Sequence, residues 1–154
     1  MADMKALKSK GDVLVTYSLG SCIAVVATDP TAGVGGLLHF MLPESKLDAD
    51  KAAQRPCMFA DTGIGTLLEE LERLGARRRL IAVKLVGGAQ VLDKANFFGI
   101  GQRNYTAARR LLWKQGLLIE AEDVGGTDIR TVELELATGR VNVKVNGNSR
   151  LRTL

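Results

Sequence analysis

The segment DVLVTYSLGSCIAVVA, residues 12–27, decides the fold, because two runs of strand-forming residues in it are separated by a break at a glycine. Residues 12–17 favour a strand, and residues 22–27 combine β-branched and small apolar side chains suited to a buried one. Gly20 in the break can adopt a positive φ and lets the backbone approach a ligand closely. The turn could therefore present the Cys22 sulfur together with neighbouring backbone N–H groups, which predicts a nucleophile site.

A cysteine nucleophile needs a base at neutral pH, since a free thiol titrates near ~8.5. His39 is the only histidine in the chain. It lies in residues 34–43, which follow a turn at residues 29–33 and are typical of a further strand. We expect two adjacent antiparallel strands to place Cys22, at the start of one, beside His39, at the end of the next. From these residues alone, a packed cysteine and a satisfied core histidine remain the alternatives.

The same residues resemble the CheD family, the chemoreceptor glutamine deamidases of bacterial and archaeal chemotaxis. The motifs are Thr-x-x-Leu-Gly-Ser-Cys at residues 16–22, Asp-Pro at 29–30 and Gly-Gly-x-x-His-x-Met-Leu-Pro at 35–43. Similar segments follow at residues 60–62, 87–90, 100–104, 122–126 and 130–133. The resemblance therefore covers about residues 12–145.

The resemblance implies a catalytic set made of Cys22 as nucleophile, His39 as acid and base, and Thr16 as the group that orients the imidazole. The demands of amide hydrolysis place the oxyanion at backbone N–H groups near Gly20 and Ser21. No cofactor and no metal are expected. Two cysteines and one histidine cannot supply four zinc ligands without a carboxylate.

The implied reaction converts receptor glutamine side chains to glutamate through a cysteine thioester, with release of ammonia. Some members of the family also hydrolyse glutamate methyl esters, so a methylesterase side activity is open. The implied partners are a methyl-accepting chemotaxis receptor, as substrate, and a CheC-type phosphatase. The alternative is a non-catalytic binding module that engages the phosphatase or the receptor. Gln90 and Arg130 lie in family-like segments, but the sequence gives them no role.

Length and composition are those of one globular domain over residues 1–154, with a core at about residues 12–145. The net charge of +4 is modest, and the run at residues 77–79 has no interleaved aromatic residues, so nucleic acid is not an expected partner. No stretch approaches the ~18–20 apolar residues of a membrane helix. We therefore expect a reduced, cytoplasmic protein that reaches the membrane only peripherally, through its receptor.

The hydrophobic pattern predicts helices over residues 56–74 and 102–114 and further strands at 80–86, 117–122, 131–136 and 141–145. It also predicts a frayed arm at residues 1–11, a mobile loop at 44–55 and an uncovered tail at 146–154. Trp113 is expected to pack in the core or at its edge. This element order favours an α+β fold of mixed, mostly antiparallel sheets with two main helices. The resemblance implies a layered α/β/β sandwich similar to the deamidase domains of certain bacterial toxins.

Overall fold

The computed structural model describes residues 2–91, 99–146 and 151–154, which form three layers: helices, a five-stranded sheet and a four-stranded sheet. The larger sheet has the strand order β1-β4-β3-β5-β6 and the smaller one β2-β7-β8-β9. All neighbouring strands are antiparallel except β5 and β6. The strands are β1 (Asp3–Lys8), β2 (Val13–Leu19), β3 (Ile23–Asp29), β4 (Val34–Phe40), β5 (Ala82–Gly87), β6 (Ile119–Val124), β7 (Arg130–Glu135), β8 (Arg140–Val145) and β9 (Leu151–Thr153). The helices are α1 (Ala49–Gln54), α2 (Ala60–Arg73) and α3 (Ile100–Lys114).

Strand β3 lies at the centre of the sandwich and is buried on both faces. Its alternate side chains serve different cores: Ile23 and Val25 pack with the helices, whereas Ala24 and Val26 pack against the smaller sheet. This two-sided burial explains why the strand reads as a continuous apolar run rather than an alternating one. The predicted layered α+β fold, with mostly antiparallel sheets and two main helices, is confirmed.

The helix α2 buries one apolar face, and its side chains at Ile64, Leu67 and Leu71 contact the larger sheet's core. In α3 the buried face includes Leu112, but Trp113 is 74% exposed, so the expectation that it packs in the core or at its edge is wrong. Consecutive helical residues point about 100° apart, so burial of Leu112 turns Trp113 away from the sheet.

Both chain ends contain strands where the sequence predicted none. The prediction of a frayed arm at residues 1–11 is wrong, because these residues contain β1. This strand pairs with β4, so that Asp3 lies opposite His39. Met4 and Ala6 face the core on the helix side, and Lys5 between them is exposed; the lysines of this segment hide that alternation from the hydrophobic pattern. The prediction of an uncovered tail at residues 146–154 is wrong for its last part, which contains β9 paired with β8. Residues 147–150 lie outside the described residues.

The predicted loop at residues 44–55 contains the short helix α1 and a 3₁₀ turn at Ser45–Leu47. Asp48 caps α1 by accepting a hydrogen bond from the Lys51 N–H at 3.0 Å. Asp61 accepts hydrogen bonds from both the backbone N–H and the hydroxyl of Ser45. These local bonds correct the expectation of a mobile loop. No helix within the described residues is long and apolar enough to cross a membrane.

Candidate active site

The turn before Cys22 is formed by an irregular end of β2. The pairing of β2 with β7 shifts register between Thr16 and Leu19, and Ser18 takes the left-handed conformation with φ 58°. The positive φ therefore falls on Ser18 and not on Gly20, the residue that the sequence offered for it. A Cβ added at Gly20 would lie 3.3 Å from the Val91 side chain, which would have to shift by a few tenths of an ångström to accommodate it.

The strand register places the nucleophile candidate and the base candidate on the same face of the larger sheet. His39 on β4 lies opposite Ala24 on β3, and Cys22 is two residues before Ala24. Side chains two residues apart on a strand share a face, and such diagonal neighbours across a ladder lie about 7–8 Å apart by Cα, within reach of an imidazole. Cys22 packs with the core between the two sheets, the layer that Ala24 also faces.

The imidazole of His39 is oriented by a hydrogen bond that crosses from one sheet to the other. Its Nδ1 lies 2.9 Å from the hydroxyl oxygen of Thr16 on β2. The ring is only 5% exposed, and its Nε2 has no hydrogen-bond partner among the described residues. The geometry thus leaves Nε2 as the nitrogen available for proton transfer. No hydrogen bond joins it to the Cys22 thiol in this structure.

Burial controls the ionisation of both groups. It raises the pKa of Cys22, although the residue's own backbone N–H acts in the opposite direction by favouring the thiolate. Burial lowers the pKa of His39. Both shifts favour the uncharged forms, a thiol and an imidazole, and a neutral imidazole can accept a proton.

Cys22 lies in the wall of a cavity of about 330 Å³. This volume is near the lower end for ligand sites, so it suits a single side chain rather than a large cofactor. The cavity is lined by Ser18, Gly20, Ser21, Cys22, Ala89, Gln90, Val91, Gly99, Ile100, Gly101 and Ile129. The first turn of α3 therefore borders it, and the positive end of that helix favours negative charge developing there. His39 is not part of this lining; together with Thr16 it lines a separate surface cavity, so Cys22 and His39 face different openings of the fold.

Arg130, which has no assigned role in the sequence analysis, joins the two sheets beside this cavity. Its buried guanidinium pairs with the buried carboxylate of Asp123 at 3.0 Å, from β7 to the end of β6. The backbone of Arg130 also pairs with Leu19, which precedes Gly20. Gln90 is held by a hydrogen bond from its N–H to the Gly126 carbonyl at 2.8 Å. Both residues thus fix loops that form the wall of the cavity.

A further buried polar residue near the site was missed. Asn104 is fully buried in α3 and donates hydrogen bonds to the carbonyl oxygens of Ser21 and Met41. Its sequence signals are its place in the family-like segment 100–104 and a polar residue on the apolar face of α3, at helical spacing from Ala108 and Leu112. Within the described part of the chain, no group of three or more His, Cys, Asp or Glu side chains could hold a metal ion.

Comparison with known proteins gives consistent matches over most of the chain. The family model described as CheD chemotactic sensory transduction matches residues 41–145. The chain is 52% identical over 147 residues to the probable chemoreceptor glutamine deamidase CheD 1 of Syntrophus aciditrophicus, covering 96% of this chain and 92% of the relative. It is 45% identical over 150 residues to the probable chemoreceptor glutamine deamidase CheD of Solibacter usitatus, covering 97% and 89%. It is 40% identical over 152 residues to the chemoreceptor glutamine deamidase CheD of Thermotoga maritima, covering 98% and 93%.

Proposed function

The chain belongs to the CheD family, and from this premise we propose that it is a chemoreceptor glutamine deamidase with Cys22 as its nucleophile. The observation that carries the proposal is the bond between Thr16 and His39 Nδ1, which leaves Nε2 unpartnered on the face of the sheet that Cys22 shares. A cysteine beside an oriented histidine is the arrangement that acyl transfer requires.

The first half of the reaction forms a thioester. His39 Nε2 takes the proton of the Cys22 thiol as Sγ attacks the side-chain carbon of a glutamine. Negative charge then collects on the former carbonyl oxygen, where backbone N–H groups near Gly20, Ser21 and Cys22 stabilise it, at ~3–4 kcal/mol per donor. The imidazolium of His39 protonates the departing nitrogen, the C–N bond breaks, and ammonia leaves.

The second half returns the enzyme to its starting state. The neutral imidazole of His39 removes a proton from water, which attacks the thioester carbon. The C–S bond breaks, the proton passes to the Cys22 sulfur, and the side chain leaves as glutamate. Thr16 takes no proton in either half; its hydroxyl keeps the ring orientation and the tautomer constant.

The substrate follows from the relatives' names, which specify a chemoreceptor. A glutamate methyl ester would react by the same steps with methanol as the leaving group, so we include methylesterase activity in the proposal. We also include a cytoplasmic site of action, where the enzyme meets the receptor's cytoplasmic region, and a CheC-type phosphatase as a protein partner.

The test is mass spectrometry of a glutamine-containing receptor cytoplasmic fragment after incubation with the enzyme. The wild type should add about one mass unit per site, as replacement of NH₂ by OH requires, and Cys22→Ala should add none. Cys57→Ser is the matched control, because it removes the other free thiol of the chain. A receptor that the wild type binds without any mass change would contradict the proposal and favour a non-catalytic binding module.

A further inference from the structure

Asn104 occupies an unusual position for its residue type. It lies in the second turn of α3 with 0% of its surface exposed, although asparagine is a poor helix former and competes with helical hydrogen bonding. Its side-chain nitrogen donates two hydrogen bonds, to the Ser21 carbonyl at 2.9 Å and to the Met41 carbonyl at 2.8 Å. One amide group thus contacts two segments that are distant in sequence.

Those two carbonyls flank the candidate catalytic pair. Ser21 immediately precedes Cys22, and Met41 is two residues after His39. The ladder between β3 and β4 ends at the pair Ile23 and Phe40. Beyond that pair no ladder bond joins the two strands, and the Asn104 amide bridges them instead.

We propose that Asn104 is a positioning residue that sets the separation of the Cys22 sulfur from the His39 imidazole by holding together the two backbone segments that carry them. The inference rests on the proposed function and extends it to a residue on a different layer of the fold. It also ties the nucleophile turn to α3, whose first residues border the cavity.

The second amide atom of Asn104 shows which contacts decide the orientation of the side chain. Its Oδ1 is buried and has no hydrogen-bond partner among the described residues. A buried acceptor without a partner is unfavourable, but an apolar side chain at this helix position would leave the Ser21 and Met41 carbonyl oxygens without this donor. The orientation of the side chain is therefore dictated by the two carbonyls that its nitrogen contacts.

Two variants of Asn104 separate positioning from simple packing. Asn104→Ala removes both hydrogen bonds. Asn104→Asp keeps the shape, and a carboxyl buried among carbonyl oxygens favours its protonated form, so it can donate one of the two bonds. We therefore expect a graded loss in which Asn104→Asp retains more function than Asn104→Ala.

The matched control is Asp29→Asn, the reverse exchange at the far end of β3. Asp29 is also fully buried, and it accepts hydrogen bonds from the backbone N–H groups of Ala32 and Arg77. It lies about 20 Å from Cys22 along the strand. Asp29→Asn thus damages a buried hub of the same kind without touching the candidate site.

Two readouts are needed, both taken below each variant's unfolding midpoint. The first is the rate at which iodoacetamide alkylates Cys22 from pH 5 to 9. It is measured for each variant with His39 present and again with His39→Ala added. The second is kcat and KM for receptor deamidation. A small misplacement of reacting groups can lower a rate about 100-fold. We therefore expect Asn104→Ala to lose roughly 10- to 100-fold in kcat and in the His39-dependent part of alkylation, with KM changed less than about threefold.

The outcomes distinguish the two proposals. The inference is overturned if both Asn104 variants lower thermal stability but keep wild-type kcat and His39-dependent alkylation, or if Asp29→Asn lowers these rates equally. Should Asn104→Ala fail to fold, Asn104→Asp decides the question by the same criteria. If His39→Ala leaves alkylation of the wild-type thiol unchanged, the Cys22–His39 mechanism fails, and the inference fails with it.

Discussion

Replacing Thr16 by valine tests the hydrogen bond that orients the candidate base. Valine has nearly the shape of threonine, so Thr16→Val removes the hydroxyl and little else. It leaves His39 Nδ1 buried without the partner that now lies at 2.9 Å. An unsatisfied buried polar group costs about 1–3 kcal/mol, and if this cost is expressed in the transition state kcat falls about 5- to 150-fold. The chemistry itself survives, because Thr16 carries no proton.

The assay is initial-rate deamidation of the receptor fragment, followed by ammonia release and by mass. Thr16→Ser, which keeps a hydroxyl, should recover most of the activity, and Cys22→Ala should have none. Thermal unfolding of each variant checks that the fold is retained. An orienting role is refuted if Thr16→Val, correctly folded, is as inactive as Cys22→Ala, or if Thr16→Ser is no better than Thr16→Val.

Gly87→Ala should destabilise the fold by more than about 1 kcal/mol and lower activity, because Gly87 has φ 116° and an added Cβ would overlap the Cys22 carbonyl oxygen; an unchanged unfolding midpoint would contradict this. Burial lowers the pKa of His39, so the unfolded chain protonates this histidine at a higher pH than the folded chain does. The free energy of unfolding therefore decreases as the pH falls from the ordinary histidine pKa of about 6.5 to the lower pKa of the folded state. His39→Gln should therefore flatten the pH dependence of urea unfolding between about pH 5 and 7; an unaltered slope would argue against it. Cys57→Ser should keep its deamidation rate within about twofold, because Cys57 lies outside the cavity that contains Cys22; a large loss, measured by ammonia release, would assign Cys57 a role.

The sequence predicted the layered fold because the long apolar patterns are local signals. β3 is a continuous apolar run, and α2 repeats leucines at helical spacing, so each could be assigned without knowing its neighbours. The order of strand, turn and strand also explains why Cys22 and His39 could be expected on adjacent strands. The structure places these strands side by side with the predicted antiparallel direction.

The remaining features depend on contacts that no local pattern encodes. β1 and β9 are short and rich in charged or polar residues. β1 is fixed by pairing with β4, which is distant in sequence, and β9 by pairing with β8, the strand before it. The ion pair of Arg130 with Asp123 joins two sheets, so neither residue reveals its partner. Asn104 lies in a family-like segment and is polar on an apolar helix face, but neither signal reveals its two acceptors, which are 83 and 63 residues away in the chain.

The hydrogen bond between Thr16 and His39 can form only while the two sheets are packed against each other. The geometry of the candidate active site therefore depends on that packing. Thr16 belongs to the smaller sheet, whereas His39 and Cys22 belong to the larger one or its immediate extension. Proteins open locally in cooperative units with free energies well below that of global unfolding. A local opening that separates the four-stranded sheet from the larger sheet would break the hydrogen bond between Thr16 and the His39 imidazole while β3 and β4 stay paired. We therefore expect activity to be lost on heating at the temperature at which amide hydrogen exchange in β2 and β7 becomes rapid. This temperature should lie below the one at which the helical signal is lost.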